Sequence, residues 1–275
     1  MRGSNKIASL ISVSLMATML SACTLADNFK AENFESEDTQ DIVNGREIQN
    51  DNELAKSVVF IVNKVTKDVC TGSILDNNHV LTAAHCLDTE DQTNLYVFFA
   101  ARPNGKTERR QVLAAKYSPY WEMRQLESYD TGDIAVIKFD GTELPVGYKP
   151  VTFLEDYSIL REETPVSVLG YGLSDASDPT SVGVLRVGNL KIADPNFSST
   201  EITLDQTKGT GVCHGDSGGP AYVYIPGKNG SKGQYLLWGV STRGVNDDDS
   251  TCNKSVAITN ASIYLTWIML AVKTL

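Results

Sequence analysis

The stretch "GVCHGDSGGPAYVY" (residues 211–224) sets Gly, Asp, Ser, Gly, Gly and Pro in a row just ahead of an alternating apolar segment. Glycine is a poor strand residue because it loses more backbone entropy on folding than any other. Three glycines, Gly215, Gly218 and Gly219, crowd a single serine, Ser217. A tight turn alone would account for Gly, Asp, Ser and Pro. A nucleophile mounted on a turn accounts for more, because small neighbours leave its hydroxyl and the nearby N–H groups open. A serine hydroxyl is a weak nucleophile unaided. That reading therefore requires a base, and a group to orient the base, elsewhere in the chain.

The bounds are set by composition. The chain has 275 residues, 41% of them hydrophobic, with 21 Gly and 9 Pro. That length suits one large all-β unit or two small domains. The formal net charge is -10, and no repeat or low-complexity run interrupts the sequence. Nucleic acid is not an expected partner, since no basic patch would offset phosphate repulsion.

The N-terminus has the layout of an export signal. Arg2 and Lys6 precede the apolar run "IASLISVSLMATML" (7–20), which is short for a membrane span. The run ends in "LSAC", which resembles the bacterial lipobox. That resemblance implies a signal peptide over 1–22, with Cys23 becoming a lipidated N-terminus and membrane anchor. The alternative is an ordinary signal peptide cut after Ala26. Thr24 is not the aspartate associated with retention at the inner membrane. The expected location is an outer-membrane lipoprotein or the periplasm of a bacterial cell, with secretion as the alternative. Residues 23–41 are acidic and poor in branched apolar residues. They read as a linker or pro-segment, with the folded domain expected over 42–275.

Five cysteines are an awkward number for an exported chain. Either processing route takes Cys23 out of the pairing pool. Cys70, Cys86, Cys213 and Cys252 remain, an oxidising compartment would pair them, and three connectivities are open.

From "IVNG" (42–45) onward, short apolar runs alternate with turn residues. They are "SVVFIVNKV" (57–65), "GSILDNNHVLTAA" (72–84), "LYVFFAA" (95–101), "DIAVIKF" (133–139), "PVSVLGYG" (165–172), "AYVYI" (221–225) and "YLLWGVST" (235–242). This spacing predicts an all-β barrel or sandwich. One stretch reads as helical, "TNASIYLTWIMLAVK" (259–273), with Ile263, Trp267 and Leu270 as its packing stripe.

Three histidines could supply the base: His79, His85 and His214. His85 lies in "LTAAHC", where a strand ends in small residues. Asp133 opens the apolar run "DIAVIKF", so it is expected to be partly buried and to need a donor partner. A histidine N–H would serve. Asp130 is a rival, but it falls outside the apolar run.

Together the segments "LTAAHC", "GDIAVI" and "GDSGGP" resemble the three signatures of the trypsin/chymotrypsin family of serine peptidases, in that family's order. "IVNG" resembles the family's mature N-terminus and "VLGYGLSD" its Gly-aromatic-Gly segment. The resemblance covers about 42–270. It implies two six-stranded antiparallel β-barrels with the active site between them and a C-terminal helix. It also implies disulfides Cys70–Cys86 and Cys213–Cys252.

By the same resemblance, His85 takes the proton of Ser217 as the hydroxyl attacks a peptide carbonyl. Asp133 holds the imidazole in its tautomer, and the N–H groups of Gly215 and Ser217 form the oxyanion hole. Cleavage before Ile42 would free an ammonium that pairs with Asp216 and sets the Gly215 peptide. Residues 35–41 contain no Lys or Arg, so an activator of trypsin-like specificity is not encoded. Gly211 would floor the first pocket, Gly244 would leave its mouth open and Val256 would narrow its depth. That combination favours an apolar or small residue before the scissile bond. Thr242, Arg243 and Gly244 would pair with the substrate backbone. The family usually has an aromatic residue where Arg243 stands, and a guanidinium there would favour acidic substrates. The partner is thus a protein or peptide substrate, acted on by a monomer with no metal or cofactor. Two rival readings are an inactive family member used as a binding module, and a zinc hydrolase built on the three histidines. The latter lacks a compact ligand motif.

Overall fold

Alternating apolar residues in the sequence become strands of two barrels. The computed structural model describes residues 42–43, 45–89, 91–123, 131–228, 230–245 and 252–275. The chain divides into two units, Met1–Asp38 and Thr39–Leu275, and every described residue lies in the second. A short strand β1 (Arg46–Glu47) comes first. The first barrel is built from β2 (Val58–Asn63), β3 (Val69–Ile74), β4 (His79–Thr82), β5 (Leu95–Phe98), β6 (Arg109–Tyr117) and β7 (Ala135–Phe139). It closes in the order β2-β3-β4-β7-β6-β5, and a short helix α1 (Pro119–Met123) lies between β6 and β7 in the chain. The second barrel contains β8 (Pro165–Gly170), β9 (Arg186–Asp194), β10 (Glu201–Asp205), β11 (Pro220–Ile225), β12 (Gln234–Val245) and β13 (Ser255–Asn260). Its order is β9-β10-β13-β12-β11-β8, closed by the β8–β9 pairing, with β1 added beside β9. Helix α2 (Leu265–Thr274) follows. All pairings between these strands are antiparallel, as the resemblance implies for this fold.

The run "VVFIV" is apolar at every position because both of its faces are covered. Side chains alternate across a strand. Val59 and Ile61 fill the first barrel, while Val58 and Phe60 face a cluster shared with the second. β7 follows the same rule: Ala135 and Ile137 point inward, Ile134 and Val136 toward the shared cluster. Leu169, Tyr171, Leu185 and Val240 come to that cluster from the second barrel. The Phe60 and Tyr171 rings meet there with centroids 5.0 Å apart. The barrels are therefore joined by apolar burial, and the turns at their seam are held in fixed register.

The predicted helix is shorter and rotated. Residues 255–260 form β13, paired with β10 and β12, and α2 starts at Leu265. Its buried stripe is Tyr264, Ile268 and Ala271, whereas Ile263 and Leu270 are exposed. The segment is apolar nearly all round, so periodicity alone leaves two stripes of equal spacing. Packing on the shared cluster selects one of them. Several strands carried too little apolar alternation to read: β1, β6, β9, β10 and β13. Among the described residues no helix is long and apolar enough to cross a membrane.

Candidate active site

Each candidate side chain sits where a strand ends at the seam. His85 opens a single turn of 3-10 helix, His85–Leu87, after β4. Asp133 lies just before β7 and is 4% exposed. β4 and β7 are paired, with Thr82 opposite Ala135, so the two residues emerge side by side. The carboxylate accepts twice from His85: the backbone N–H at 2.9 Å to Oδ1 and Nδ1 at 2.7 Å to Oδ2. Burial pushes the imidazole pKa down, but the Asp133 hydrogen bond and charge, with a smaller pull from Asp88, leave it raised. This geometry fixes the Nδ1–H tautomer and leaves Nε2 to act as a base. The rival Asp130 lies outside the described residues.

Ser217 stands on the turn ahead of β11. Its Oγ is directed to the carbonyl of Thr242 at 3.4 Å, and its own carbonyl accepts the Thr71 N–H at 2.8 Å. The sulfur of Cys86 lies between the two candidate residues: it is 3.9 Å from His85 Nε2 and 3.6 Å from the Ser217 carbonyl oxygen. A direct bond between Ser217 Oγ and His85 Nε2 is not formed in this structure. Such bonds are often long before substrate binds.

The turn explains its glycines. Gly215 has φ +96° and Gly218 φ +83°. A Cβ on Gly218 would lie 2.1 Å from Thr82 Oγ1 and 2.2 Å from the Thr71 carbonyl. On Gly215 it would lie 2.9 Å from Val69 Cγ2. The N–H groups of Asp216, Gly218 and Gly219 bond to the carbonyls of Cys213, Ser241 and Asp216. Among the described residues, those of Gly215 and Ser217 bond to nothing. Two unused donors thus flank the serine on an otherwise saturated turn.

Asp216 is 2% exposed and accepts from the N–H groups of Gly172 (2.7 Å) and Cys213 (2.9 Å). Burial pushes its carboxyl up to about 6, against the pull of those two amides and of Arg186. Ile42 is 1% exposed in the core of the second barrel, at φ +58°. For a β-branched residue that conformation is strained by about 1–3 kcal/mol. Among the described residues no hydrogen bond or ion pair joins Ile42 to Asp216.

Around the expected pocket, Gly211 pairs with Val43, donating to its carbonyl at 3.0 Å. A Cβ on Gly211 would lie 2.6 Å from the Cys252 carbonyl and 3.0 Å from the Gln206 amide carbon. The Gln206 amide is 1% exposed and bridges Val212 N–H (2.7 Å) to the Cys252 carbonyl (3.0 Å). Val256 is buried in the apolar core of the second barrel, paired with Gly244. Thr242 is buried and Gly244 exposed. Arg243 forms a two-pronged ion pair with Glu201, NH1–Oε1 2.5 Å and NH2–Oε2 2.7 Å. The Glu201 side chain is wholly buried and also accepts from the Thr131 hydroxyl at 3.0 Å.

Disulfides join Cys70 to Cys86 and Cys213 to Cys252. Cys23 lies outside the described residues. Among the described residues the one group of potential metal ligands is Cys70, His85 and Cys86, whose two sulfurs are bonded to each other. His79 is held by Asp76 at 2.9 Å, away from that group.

Sequence reasoning missed four residues. Thr71 donates its hydroxyl to the Gly215 carbonyl (2.9 Å) and accepts the Tyr171 N–H (3.1 Å), clamping the Ser217 turn from the first barrel. Gln206, Glu201 and the buried Arg186 are the others. None stands in a distinctive local motif, and each gains its role from a partner distant in the chain.

A family model described as trypsin matches residues 42–268. The chain belongs to the trypsin family. Among curated relatives, chymotrypsin of Phaedon cochleariae is 27% identical over 254 residues, 85% of this chain and 83% of the relative. Chymotrypsin-C of Rattus norvegicus is 27% identical over 224 residues, 77% of this chain and 81% of the relative. Chymotrypsin-like elastase family member 1 of Canis lupus familiaris is 24% identical over 213 residues, 72% of this chain and 79% of the relative. This trypsin-family chain is a serine endopeptidase, a hydrolase acting on proteins. Its two disulfides and its family suit an extracellular or secreted protein.

Proposed function

We propose that this peptidase cleaves peptide bonds through an acyl-enzyme on Ser217. His85 Nε2 takes the hydroxyl proton as Oγ attacks the carbonyl carbon, then returns it to the leaving amine. Asp133 keeps the imidazole oriented and stabilises the imidazolium. The N–H groups of Gly215 and Ser217 receive the oxyanion, a contact of about 3 kcal/mol per donor in the transition state. The observation that carries this reading is the pair of unused N–H groups beside a serine, facing a histidine held by a buried carboxylate. Ser217→Ala should lower kcat by about 10⁶-fold and abolish labelling by a fluorophosphonate, with circular dichroism unchanged. Turnover near that of the parent would remove Ser217 from the mechanism.

In this reading the substrate pairs with Thr242, Arg243 and Gly244 as an added strand, and its first pocket is bounded by Gly211, Gln206 and Val256. A small or apolar residue precedes the scissile bond. Arg243 is already matched by Glu201, so the subsite beside it is polar but not cationic. Cleavage before Ile42 releases an ammonium for Asp216. The strained φ of Ile42 and the raised carboxyl of Asp216 support that step, since both defects are relieved by it. One observation favours a second reading: Gly215 already holds φ +96° while Arg186 pulls on Asp216. An oxyanion turn set without cleavage would then be active in the uncut chain, and assay of a chain blocked at Asp41 separates the two. Residues 1–22 are read as a signal peptide, 23–41 as the pro-segment and 42–275 as the peptidase domain. Lipid on Cys23 would tether a monomeric enzyme to the outer membrane of a bacterial cell until the cut, and mass spectrometry of the N-terminal peptide tests this.

A further inference from the structure

Arg243 lies on the strand proposed to receive substrate, yet a carboxylate from another strand already holds it. β10 and β12 are not neighbours, because β13 runs between them and pairs with both. Glu201 stands opposite Thr259 and Arg243 opposite Ala257, so the ion pair reaches diagonally across that strand. Two strand spacings are about 9–10 Å, a gap that takes two long side chains. The register of β12 slips between Ser241 and Arg243, leaving Thr242 as an extra residue. A bulge of this kind bends a strand and re-aims its side chains. Around it the Thr242 carbonyl lies 3.4 Å from Ser217 Oγ, the Thr242 hydroxyl donates to the Ala257 carbonyl at 3.0 Å, and the guanidinium meets Glu201.

The Glu201 carboxylate is held at three points. Its two oxygens accept from Arg243 Nη1 and Nη2 at 2.5 and 2.7 Å, and Oε1 also accepts the Thr131 hydroxyl at 3.0 Å. Arg243 Nη1 donates to Thr131 Oγ1 as well, at 3.4 Å. β13 ties the same segment down, because the Thr259 hydroxyl donates to the Asp133 carbonyl at 3.3 Å. A two-pronged pair fixes both the plane and the direction of a guanidinium. The carboxylate that fixes it has no exposed surface, while 36% of the arginine side chain faces solvent.

A guanidinium free to move would select substrates carrying Glu or Asp beside it. One held by a buried carboxylate does not. To meet a substrate carboxylate it must leave Glu201, and stranding that buried charge costs more than an exposed pair returns. Sharing the guanidinium instead brings two carboxylates close together, where like charges repel. The paired guanidinium still offers a flat, weakly hydrated face over which a neutral side chain can lie. We propose that Glu201 is a positioning residue that sets the charge preference of this peptidase. It cancels the charge of Arg243 and keeps the guanidinium in place, so that neutral side chains are accepted beside β12 and acidic ones bring no gain. Its effect on substrates rests on the reading of β12 as the substrate strand; the charge cancellation belongs to the pair itself.

The test compares peptide substrates that differ by a single Glu-for-Gln exchange, moved in turn along the acyl side. The parent should cut the two members of each pair with kcat/KM values within about twofold, and added salt should leave their ratio unchanged. Glu201→Gln keeps the shape of the side chain and an acceptor for Thr131, and shifts the local charge by one unit. At the position beside Arg243 it should raise the preference for the Glu peptide at least about fivefold, the value of one partly exposed charge pair. That gain should fade as salt is added. The double variant Glu201→Gln, Arg243→Gln should return the ratio to that of the parent. A loss of folded enzyme lowers both rates alike and leaves the ratio untouched, so the readout separates positioning from stability. An unmoved ratio in Glu201→Gln, or a raised one that persists in the double variant, would overturn the proposal. So would a parent that favours Glu peptides at low salt and loses the preference at high salt, a result that needs no variant. Shortening the substrate on its acyl side should lower kcat/KM if β12 pairs with it. No loss on shortening would overturn the strand reading itself, whereas a loss combined with an unmoved ratio would overturn only the role of Glu201.

Discussion

At His85 two opposed forces meet. Burial favours the neutral imidazole, and Asp133 favours the charged one strongly enough to raise the pKa. In the proposed mechanism His85 is the base and works only when neutral, so kcat/KM should rise as pH passes the raised value. The same shift contributes stability below the unfolded-state pKa, and that contribution is lost as pH rises through the folded one. Asp133→Asn removes the hydrogen-bonded charge and leaves the burial. Its acid limb should move to lower pH while kcat falls about 10⁴-fold through loss of the tautomer. A pH–rate profile of the variant with an unmoved limb would show that Asp133 does not set the base. Thr71 acts one residue further out. Thr71→Val keeps the shape but leaves the buried Gly215 carbonyl without its donor, a cost of about 1–3 kcal/mol. It should lower kcat more than it raises KM, because in the proposed mechanism the turn it clamps meets the oxyanion. An unchanged kcat would make Thr71 a purely structural residue.

Among the elements, β10 and β12 are tied by an unequal pair. The Glu201 side chain is wholly buried, while the Arg243 side chain is 36% exposed. Removing the arginine strands a buried carboxylate, so Arg243→Leu should destabilise by about 3–5 kcal/mol. Glu201→Leu leaves a guanidinium that can reach water and should cost clearly less. Chemical denaturation of both variants measures the difference, and equal losses would mean that Arg243 is not the partner that keeps Glu201 in place. The pair also reaches Thr131, two residues before Asp133. The strand expected to bind substrate is thereby linked to the loop that carries Asp133, the proposed orienting carboxylate.

On the scale of the whole molecule, the site exists because two barrels share one apolar cluster. The first supplies His85, Asp133 and Thr71; the second supplies Ser217 and its turn. Asp216 lies at the centre of that turn, with its carboxyl raised from 3.8 to about 6. A raised carboxyl stabilises the fold in its protonated form. Its contribution is complete below the unfolded pKa near 4 and is lost as pH climbs through about 6. The shift corresponds to about 3 kcal/mol. The uncut chain should therefore lose stability between pH 4 and 6 relative to a chain cut before Ile42, whose ammonium would hold Asp216 ionised. Thermal melts of both forms across that range report it, and parallel curves would argue against the ammonium–Asp216 pair.

The glycine-rich Ser217 turn, the buried aspartate opening an apolar run and the histidine beside it at a strand end were legible because each imposes local composition: glycines where φ is positive, small residues beside His85. The strand-rich class was legible from alternation in runs such as "YVFF" and "AVIKF". Register was not. β9, β10 and β13 are covered on one face by neighbours that only the closed barrel supplies, and the α2 segment carries two apolar stripes of equal spacing. Arg243 stood out in sequence as a departure, but its neutralising partner Glu201 lies 42 residues away in an unremarkable strand. Local residue choice determined which groups could do chemistry. The tertiary structure decided which charges are matched, because ion pairing and burial depend on distances that only the closed barrels set.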